Sequence, residues 1–289
     1  MKSNYSRIIA GTMTWGRWGK QLSTSQMVDL MHHCRNIGVT TFDHADIYGG
    51  YTTEADFGNA FVQSKIDRES IEIISKCGIQ YQAETRQNTI KHYDYAADYI
   101  IWSAETSLQH LQTEYLDLLL LHRPSPLMHP DEIAKAVEQL KTQGKIKEFG
   151  VSNFTPSQMT MVNTKNTITT NQIQFSLTDF DAMHDGTLDY MITNSIIPMA
   201  WQPLGSVFRE QNEQTERIHK VLDNLTEKYN ATKDQLVLAW ILKHPSGIHP
   251  VIGTTTPQRI TNAAKATVID LSLEDWFTLL VESQGHKVP

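Results

Sequence analysis

Asp43, Tyr48, Lys76 and His122 are the residues whose types and spacing point to chemistry. Asp43 follows the strand-like run 39–42, and Tyr48 comes five positions later in the next loop. Lys76 closes the run that begins at 71, and His122 closes 118–121. A tyrosine hydroxyl, with a reference pKa of ~10, is a poor acid at neutral pH. A lysine ammonium beside it favours the phenolate and is expected to lower that pKa, making Tyr48 a better proton donor. Asp43 can hold Lys76 charged and oriented, and His122 can hydrogen-bond a carbonyl oxygen or share in proton delivery. Together such groups would polarise a C=O and protonate the alkoxide left by hydride addition. None of them is a hydride source, so a cofactor is required. Alone, each has an ordinary structural role: a cap, a packing ring, a core imidazole. Their joint placement at three strand ends argues for function. His44 and Asp46, with Asp43 and His122, raise a metal-dependent hydrolase as a rival, but no second ligand cluster follows at later strand ends, and no metal is expected.

The second half of the chain supplies a cofactor track. Ser152, Asn153 and Gln172 offer the donors and acceptors that a nicotinamide carboxamide needs. Trp201 ends a strand where an indole can stack on the ring, with a buried core tryptophan as the alternative. Leu204 and Gly205 open a loop whose backbone N–H groups suit a pyrophosphate. Gly253, Thr254 and Thr255 precede a helix start, with Arg259 in the first turn to hold a phosphate bidentately. Simple helix capping by Thr256 is the competing explanation. Trp15, Trp18, Tyr51, Leu127 and Phe154 are candidate pocket-wall residues, with packing at loop bases the alternative.

Positioning these residues takes a particular architecture. Short apolar runs alternate with helical patterns along the chain, and 118–121 lacks polar alternation, as in a parallel strand covered on both faces. Met27, Leu30, Cys34 and Ile37 recur at helical spacing, as do Ile100, Ala104, Leu108 and Leu111. Thr155-Pro156-Ser157-Gln158 combines a capping box with a proline at the first helical position. Eight strand–helix units predict an α/β fold, a (β/α)8 TIM barrel, with extra helices near 211–229 and 272–283. A doubly wound open sheet would usually carry GxGxxG after its first strand, and residues 11–16 do not match it. No linker divides the chain, so residues 1–289 are expected to form a single barrel domain.

Composition narrows the classes further. The net charge of -7 argues against a nucleic-acid or anionic-membrane surface. No apolar run approaches the ~20 residues of a membrane span, and the first residues lack a signal-peptide stretch, so a cytoplasmic location is expected. Cys34 and Cys77 make neither a disulfide framework nor a zinc site.

Several segments in collinear order then carry a family likeness: Phe42-Asp43-His44-Ala45-Asp46-Ile47-Tyr48-Gly49, Ile74-Ser75-Lys76, Leu119-Leu120-Leu121-His122-Arg123-Pro124, Gly150-Val151-Ser152-Asn153-Phe154, Asn171-Gln172 and Pro250-Val251-Ile252-Gly253. From about Ser6 to about Trp276 the chain resembles the aldo-keto reductase family, in particular bacterial oxidoreductases carrying the 43–51 segment and His122-Arg123-Pro124. The resemblance implies NADPH (or NADP+) bound extended and a catalytic tetrad of Asp43, Tyr48, Lys76 and His122. It also implies carboxamide contacts from Ser152, Asn153 and Gln172, stacking by Trp201, and a 2′-phosphate contact from Arg259. Aldehyde or ketone reduction to an alcohol is the implied activity, on a small-molecule carbonyl substrate, in a monomer or weak oligomer. Two positions depart from the family: Gly253 stands where many members carry a basic residue, and Ala263 where an adenine-facing asparagine is usual. The loop at 123–129 is short, which implies an open pocket. The rival from another class is a cofactor-loaded regulatory or redox-sensing module with slow turnover; no evident partner-binding extension favours it.

Overall fold

The computed structural model describes residues 5–289. Eight parallel strands close a barrel in the order β1 (Ile9–Gly11), β10 (His249–Ile252), β9 (Ile197–Trp201), β8 (Thr170–Gln174), β7 (Ile146–Ser152), β6 (Leu116–Leu121), β3 (Glu72–Cys77) and β2 (Thr41–Asp43). The helices alternate with them: α1 (Thr24–Asn36), α2 (Thr53–Ser64), α3 (Ala97–Leu111), α4 (Pro130–Thr142), α5 (Pro156–Asn163), α6 (Thr187–Thr193), α8 (Lys233–Leu242) and α9 (Pro257–Lys265). The fold is therefore the (β/α)8 barrel that the alternation of runs predicts.

Side chains on a strand alternate between faces, and this sorts the core into two layers. Ile9, Ile74, Leu118, Leu120, Met199 and Val251 fill the barrel interior. Ile73, Cys77, Leu119 and Leu121, one position out of step, face the helices. Lys76 follows Ile74 on the inward side of β3, whereas Ser75 points outward to donate to Glu54 of α2. The apolar alternation thus delivers a lysine to the barrel axis.

Two additions surround the barrel. The first, absent from the sequence reading, is a small antiparallel hairpin of β4 (Ile79–Gln80) and β5 (His92–Tyr93). It projects from the end of β3. The second is the pair α7 (Glu213–Tyr229) and α10 (Leu273–Gln284), close to the extra helices expected at 211–229 and 272–283. Arg217 Nε donates to the Glu282 carbonyl at 2.9 Å, and Lys228 pairs with Asp275 at 2.7 Å. Trp276 of α10 stacks on Trp240 of α8, ring centroids 5.0 Å apart and planes 7° from parallel. Each indole N–H donates to the other residue's carbonyl, at 3.1 and 2.9 Å.

Candidate active site

The strand register brings the predicted polar groups to one end of the barrel. Asp43 lies beside Gly11 and Ile74, Lys76 beside Leu120, and Ser152 beside Gln172. All are at or near the C-terminal ends of their strands, where barrel enzymes carry their chemistry. An open cleft of about 1180 Å³ lies over this end, and Asp43, Tyr48 and His122 are at its floor.

Lys76 holds the centre. Its Nζ donates to Asp43 Oδ2 at 2.7 Å, to the His44 carbonyl at 2.7 Å and to the Tyr48 hydroxyl at 3.1 Å. An ammonium has three N–H donors, so each is engaged and the side chain is held from three directions. Asp43 Oδ1 accepts from Gln172 Nε2 at 2.9 Å. Lys76 and Asp43 are 1% and 2% exposed, so charge pairing and hydrogen bonds must offset the loss of hydration. Burial pulls the Lys76 ammonium down, but Asp43 and Tyr48 outweigh it and hold lysine above its usual range.

The Tyr48 phenol departs from expectation. Burial pushes it up, Lys76 pulls it down and Asp43 opposes Lys76; the net direction is upward. The lysine therefore moderates a desolvated phenol rather than producing an acidic one, because burial outweighs it and Asp43 opposes its field. Tyr48 keeps its proton at neutral pH. The His122 imidazole, edge-on to the Tyr48 ring at 6.1 Å, is held well below the usual histidine range by burial and then by Lys76, Arg123 and Lys91. It is a neutral ring, and its Nδ1 is buried without a protein partner.

The other predicted residues fall into two groups. Ser152, Asn153, Gln172, Trp201, Leu204, Gly205, Gly253, Thr254, Thr255 and Arg259 all line the cleft. Ser152 Oγ donates to the Gln172 carbonyl at 2.8 Å and accepts from Asn153 Nδ2 at 2.7 Å. Asn153 adopts a left-handed backbone (φ 62), which asparagine tolerates better than most residues, and its Oδ1 accepts from Trp201 Nε1 at 2.9 Å. Thr256 makes no side-chain cap on α9, so the capping explanation for that segment is not what the structure shows. Gly205, also left-handed at φ 53, lies so close to Thr178 that an added Cβ would sit 2.1 Å from its Oγ1.

The pocket-wall expectations need correction. Trp18 does line the cleft, with its ring 6.3 Å from that of Tyr48. Trp15 is instead fully buried outside the barrel, packed on Phe42 and Phe57. Tyr51 is buried under the hairpin, where its hydroxyl accepts from the Tyr81 N–H at 2.7 Å. Phe154 belongs to the core, and its carbonyl accepts from Asn171 Nδ2 at 2.9 Å. Leu127 is 88% exposed and does not line the cleft. The three loop-base aromatics are instead drawn into packing, where apolar burial stabilises them.

Met13, Lys20, Lys91, Phe208, Arg209 and Lys233 also line the cleft without a signal in the sequence, and so does Arg123, which the sequence marks only as part of a family motif. The two-residue strands β4 and β5 leave no periodicity to betray Lys91. His44 and Asp46 turn away from the tetrad, His44 Nδ1 to Thr12 Oγ1 at 2.9 Å and Asp46 Oδ2 to Ser103 Oγ at 3.1 Å. Among the described residues, no three of His, Cys, Asp and Glu are placed to share a metal ion, and no helix is long and apolar enough to cross a membrane.

Known proteins resemble this chain in sequence and fold. The chain is 40% identical over 288 residues to the oxidoreductase YdhF of Escherichia coli, covering 99% of this chain and 96% of that one. It is 39% identical over 291 residues to the uncharacterized oxidoreductase YcsN of Bacillus subtilis, with the same coverage. A 6-dehydroglucose reductase of Agrobacterium fabrum is 37% identical over 294 residues, covering 99% and 97%. Among solved structures, the thermostable aldo-keto reductase Tm1743 superposes with a TM-score of 0.81 at 28% identity, covering 96% and 94%. An aldo/keto reductase of Klebsiella pneumoniae, in complex with NADP and acetate, superposes with a TM-score of 0.79 at 26% identity, covering 95% and 90%. The profile of the aldo/keto reductase family matches residues 7–279. Barrel, strand-end polar groups and matched sequence agree along the chain's length: it belongs to the aldo/keto reductase family and is an oxidoreductase.

Proposed function

We propose that the protein reduces the carbonyl of an aldehyde or ketone to an alcohol with NADPH, and that Tyr48 is the proton donor. The observation that carries this reading is the contact of Lys76 with both Asp43 and Tyr48 on the floor of an open cleft. The residues fit a dinucleotide: Gln172 Oε1 and the second N–H of Asn153 are uncommitted, one acceptor and one donor for a carboxamide. Trp201 supplies a ring face beside them. Thr254, Thr255 and Arg259 offer hydroxyls and a guanidinium for phosphate at the start of α9. The bound NADP of the Klebsiella relative and the name of the Agrobacterium reductase support the same assignment.

A bound reduced nicotinamide supplies the hydride to the carbonyl carbon. Tyr48 hydrogen-bonds the carbonyl oxygen and releases its proton to the alkoxide. Lys76 stabilises the phenolate left behind, and Asp43 keeps Lys76 charged and aimed. Neutral His122 orients the carbonyl without competing for the proton. Trp18 narrows the mouth against water.

Purified protein is expected to oxidise NADPH in the presence of 4-nitrobenzaldehyde. Tyr48→Phe should lose on the order of 10³-fold in kcat, the scale of a lost general acid, while still binding NADPH. A Tyr48→Phe enzyme turning over at the wild-type rate overturns the donor assignment. Arg259→Ala should weaken NADPH on the order of tenfold, as loss of a charge-assisted phosphate contact predicts, and leave NADH nearly unaffected. Equal losses for both cofactors would remove the 2′-phosphate from Arg259.

A further inference from the structure

The cleft is strongly basic in a chain whose net charge is -7. Lys20, Lys91, Arg123, Arg209, Lys233 and Arg259 line it, against two carboxylates, Asp43 and Asp234. Asp43 is already matched by Lys76 at 2.7 Å. Some of the cations are also committed: Lys233 pairs with Asp223 at 2.6 Å, and Arg209 donates to the Gly205 carbonyl at 2.8 Å. Arg259 and Lys20 belong to the β10 and β1 side, where the phosphate donors stand. In the strand order, β6 lies diametrically across the barrel from β10. Arg123 follows β6, its guanidinium reaching to the Trp201 ring at the end of β9, and Lys91 sits in the hairpin that leaves β3. Both bear on His122, whereas Arg259 and Lys20 do not, so an anion held by them stands at the reacting end of the cleft rather than among the phosphate donors of α9.

Arg123 is built as a receptor. Its backbone is gripped at both polar groups by one phenol, since the Tyr95 hydroxyl donates to the Arg123 carbonyl and accepts from the Arg123 N–H. Tyr95 reaches that position across Gly78, whose φ of +106 and missing Cβ leave room for the ring. The guanidinium itself has no carboxylate partner among the described residues; it rests over the Trp201 ring, 5.1 Å from the centroid. A planar fork of five donors left unpaired at the wall of a reaction cleft matches a carboxylate or phosphate. Lys91, likewise without a carboxylate partner, adds charge on the same side, and both cations act on the neighbouring His122.

We infer that the carbonyl substrate carries an anionic group, a carboxylate or a phosphate, received by Arg123 with Lys91 beside His122 in the cleft. This rests on the reductase reading and extends it to substrate class. The charge lies beside the reacting carbonyl, so Arg123 acts as a specificity determinant rather than in proton transfer.

The test compares matched aldehydes at saturating NADPH: 4-carboxybenzaldehyde against 4-nitrobenzaldehyde, and glyceraldehyde 3-phosphate against glyceraldehyde. Wild type should favour the anionic member of at least one pair, and the pair with the larger ratio tells carboxylate from phosphate. Arg123→Gln should cut that ratio on the order of thirtyfold, mainly through KM, as loss of a charge-assisted pair predicts. Arg123→Lys should restore part of it, which a purely packing role on Trp201 would not. Lys91→Gln, in an exposed loop, should cut it about threefold, a modest effect as expected of a solvent-screened charge. Ratios unchanged in both Arg123→Gln and Lys91→Gln overturn the inference and leave the reductase reading standing. Failure of the wild type to turn over any of the four aldehydes overturns that reading, and the inference falls with it.

Discussion

At the scale of single residues, the site is governed by one ammonium and the competition around it. Lys76 is pinned by three acceptors, yet its effect on Tyr48 is outweighed by burial, with Asp43 opposing it as well. Removing the lysine takes away the main counterweight to burial. Lys76→Met is expected to lower kcat for aldehyde reduction on the order of 10²-fold or more, since the phenolate loses its partner. The two shifts also set a pH profile. Tyr48 is raised and His122 is lowered, so neither group changes charge through the neutral range. The rate of reduction should be flat from roughly pH 6 to pH 9, and a break near the ordinary histidine value would assign His122 a titrating role instead. Asp43, Lys76 and His122 are legible because each closes or follows a strand-like run, and Tyr48 because it stands five positions beyond Asp43 in the loop that follows. Trp15 and Phe154 are not, because a large aromatic at a loop base reads alike whether it faces the cleft or the helices.

At the scale of elements, strands with a period of two and helices with capping boxes could be located from the chain. Ser23 and Gln26 close a box on α1, and Thr155 and Gln158 close the one expected on α5. Helix α6 and the β4–β5 hairpin leave no signal in the chain: α6 spans seven residues and each hairpin strand two, too short to set a period. That hairpin carries Lys91, so the basic rim of the cleft was hidden with it. The loop after β9 offers a direct test of element geometry. Gly205 has a left-handed φ of +53, and a methyl group there would also meet Ser176 Oγ at 2.5 Å. Gly205→Ala should therefore cost about 2 kcal/mol, from strain and overpacking together, and should raise the Kd for NADPH as the loop shifts. Urea unfolding checks the first outcome and fluorescence titration the second. An alanine variant with wild-type stability would mean the loop relaxes freely.

At the scale of the whole molecule, stability carries a pH signature unrelated to the tetrad. Asp46 and Glu54, buried between the barrel and α2 and α3, are pushed up to about 8 and about 7 by burial, and Asp46 is raised further by Glu54. The unfolded chain releases those protons near its ordinary carboxylate values, so the folded state binds more protons and loses stability as pH rises. His44 and His249, held down to about 3 and about 4 by burial, work in the opposite sense, as do the lowered His110, His122 and His244, until the unfolded imidazoles have lost their protons about a unit above 6.5. Between about pH 7.5 and pH 8.5 the raised acids dominate, and unfolding free energy should fall on the order of 1 kcal/mol. Asp46→Asn together with Glu54→Gln should flatten that slope; a slope as steep as in the wild type would place the protons elsewhere. The parallel Trp240 and Trp276 rings of α8 and α10 have a spectroscopic consequence. Two indoles stacked 5.0 Å apart couple their ultraviolet transitions, which gives a bisignate circular-dichroism band. Because α10 contributes one partner, that band should report whether α10 is docked, read as the far-ultraviolet difference between the protein and Trp276→Phe.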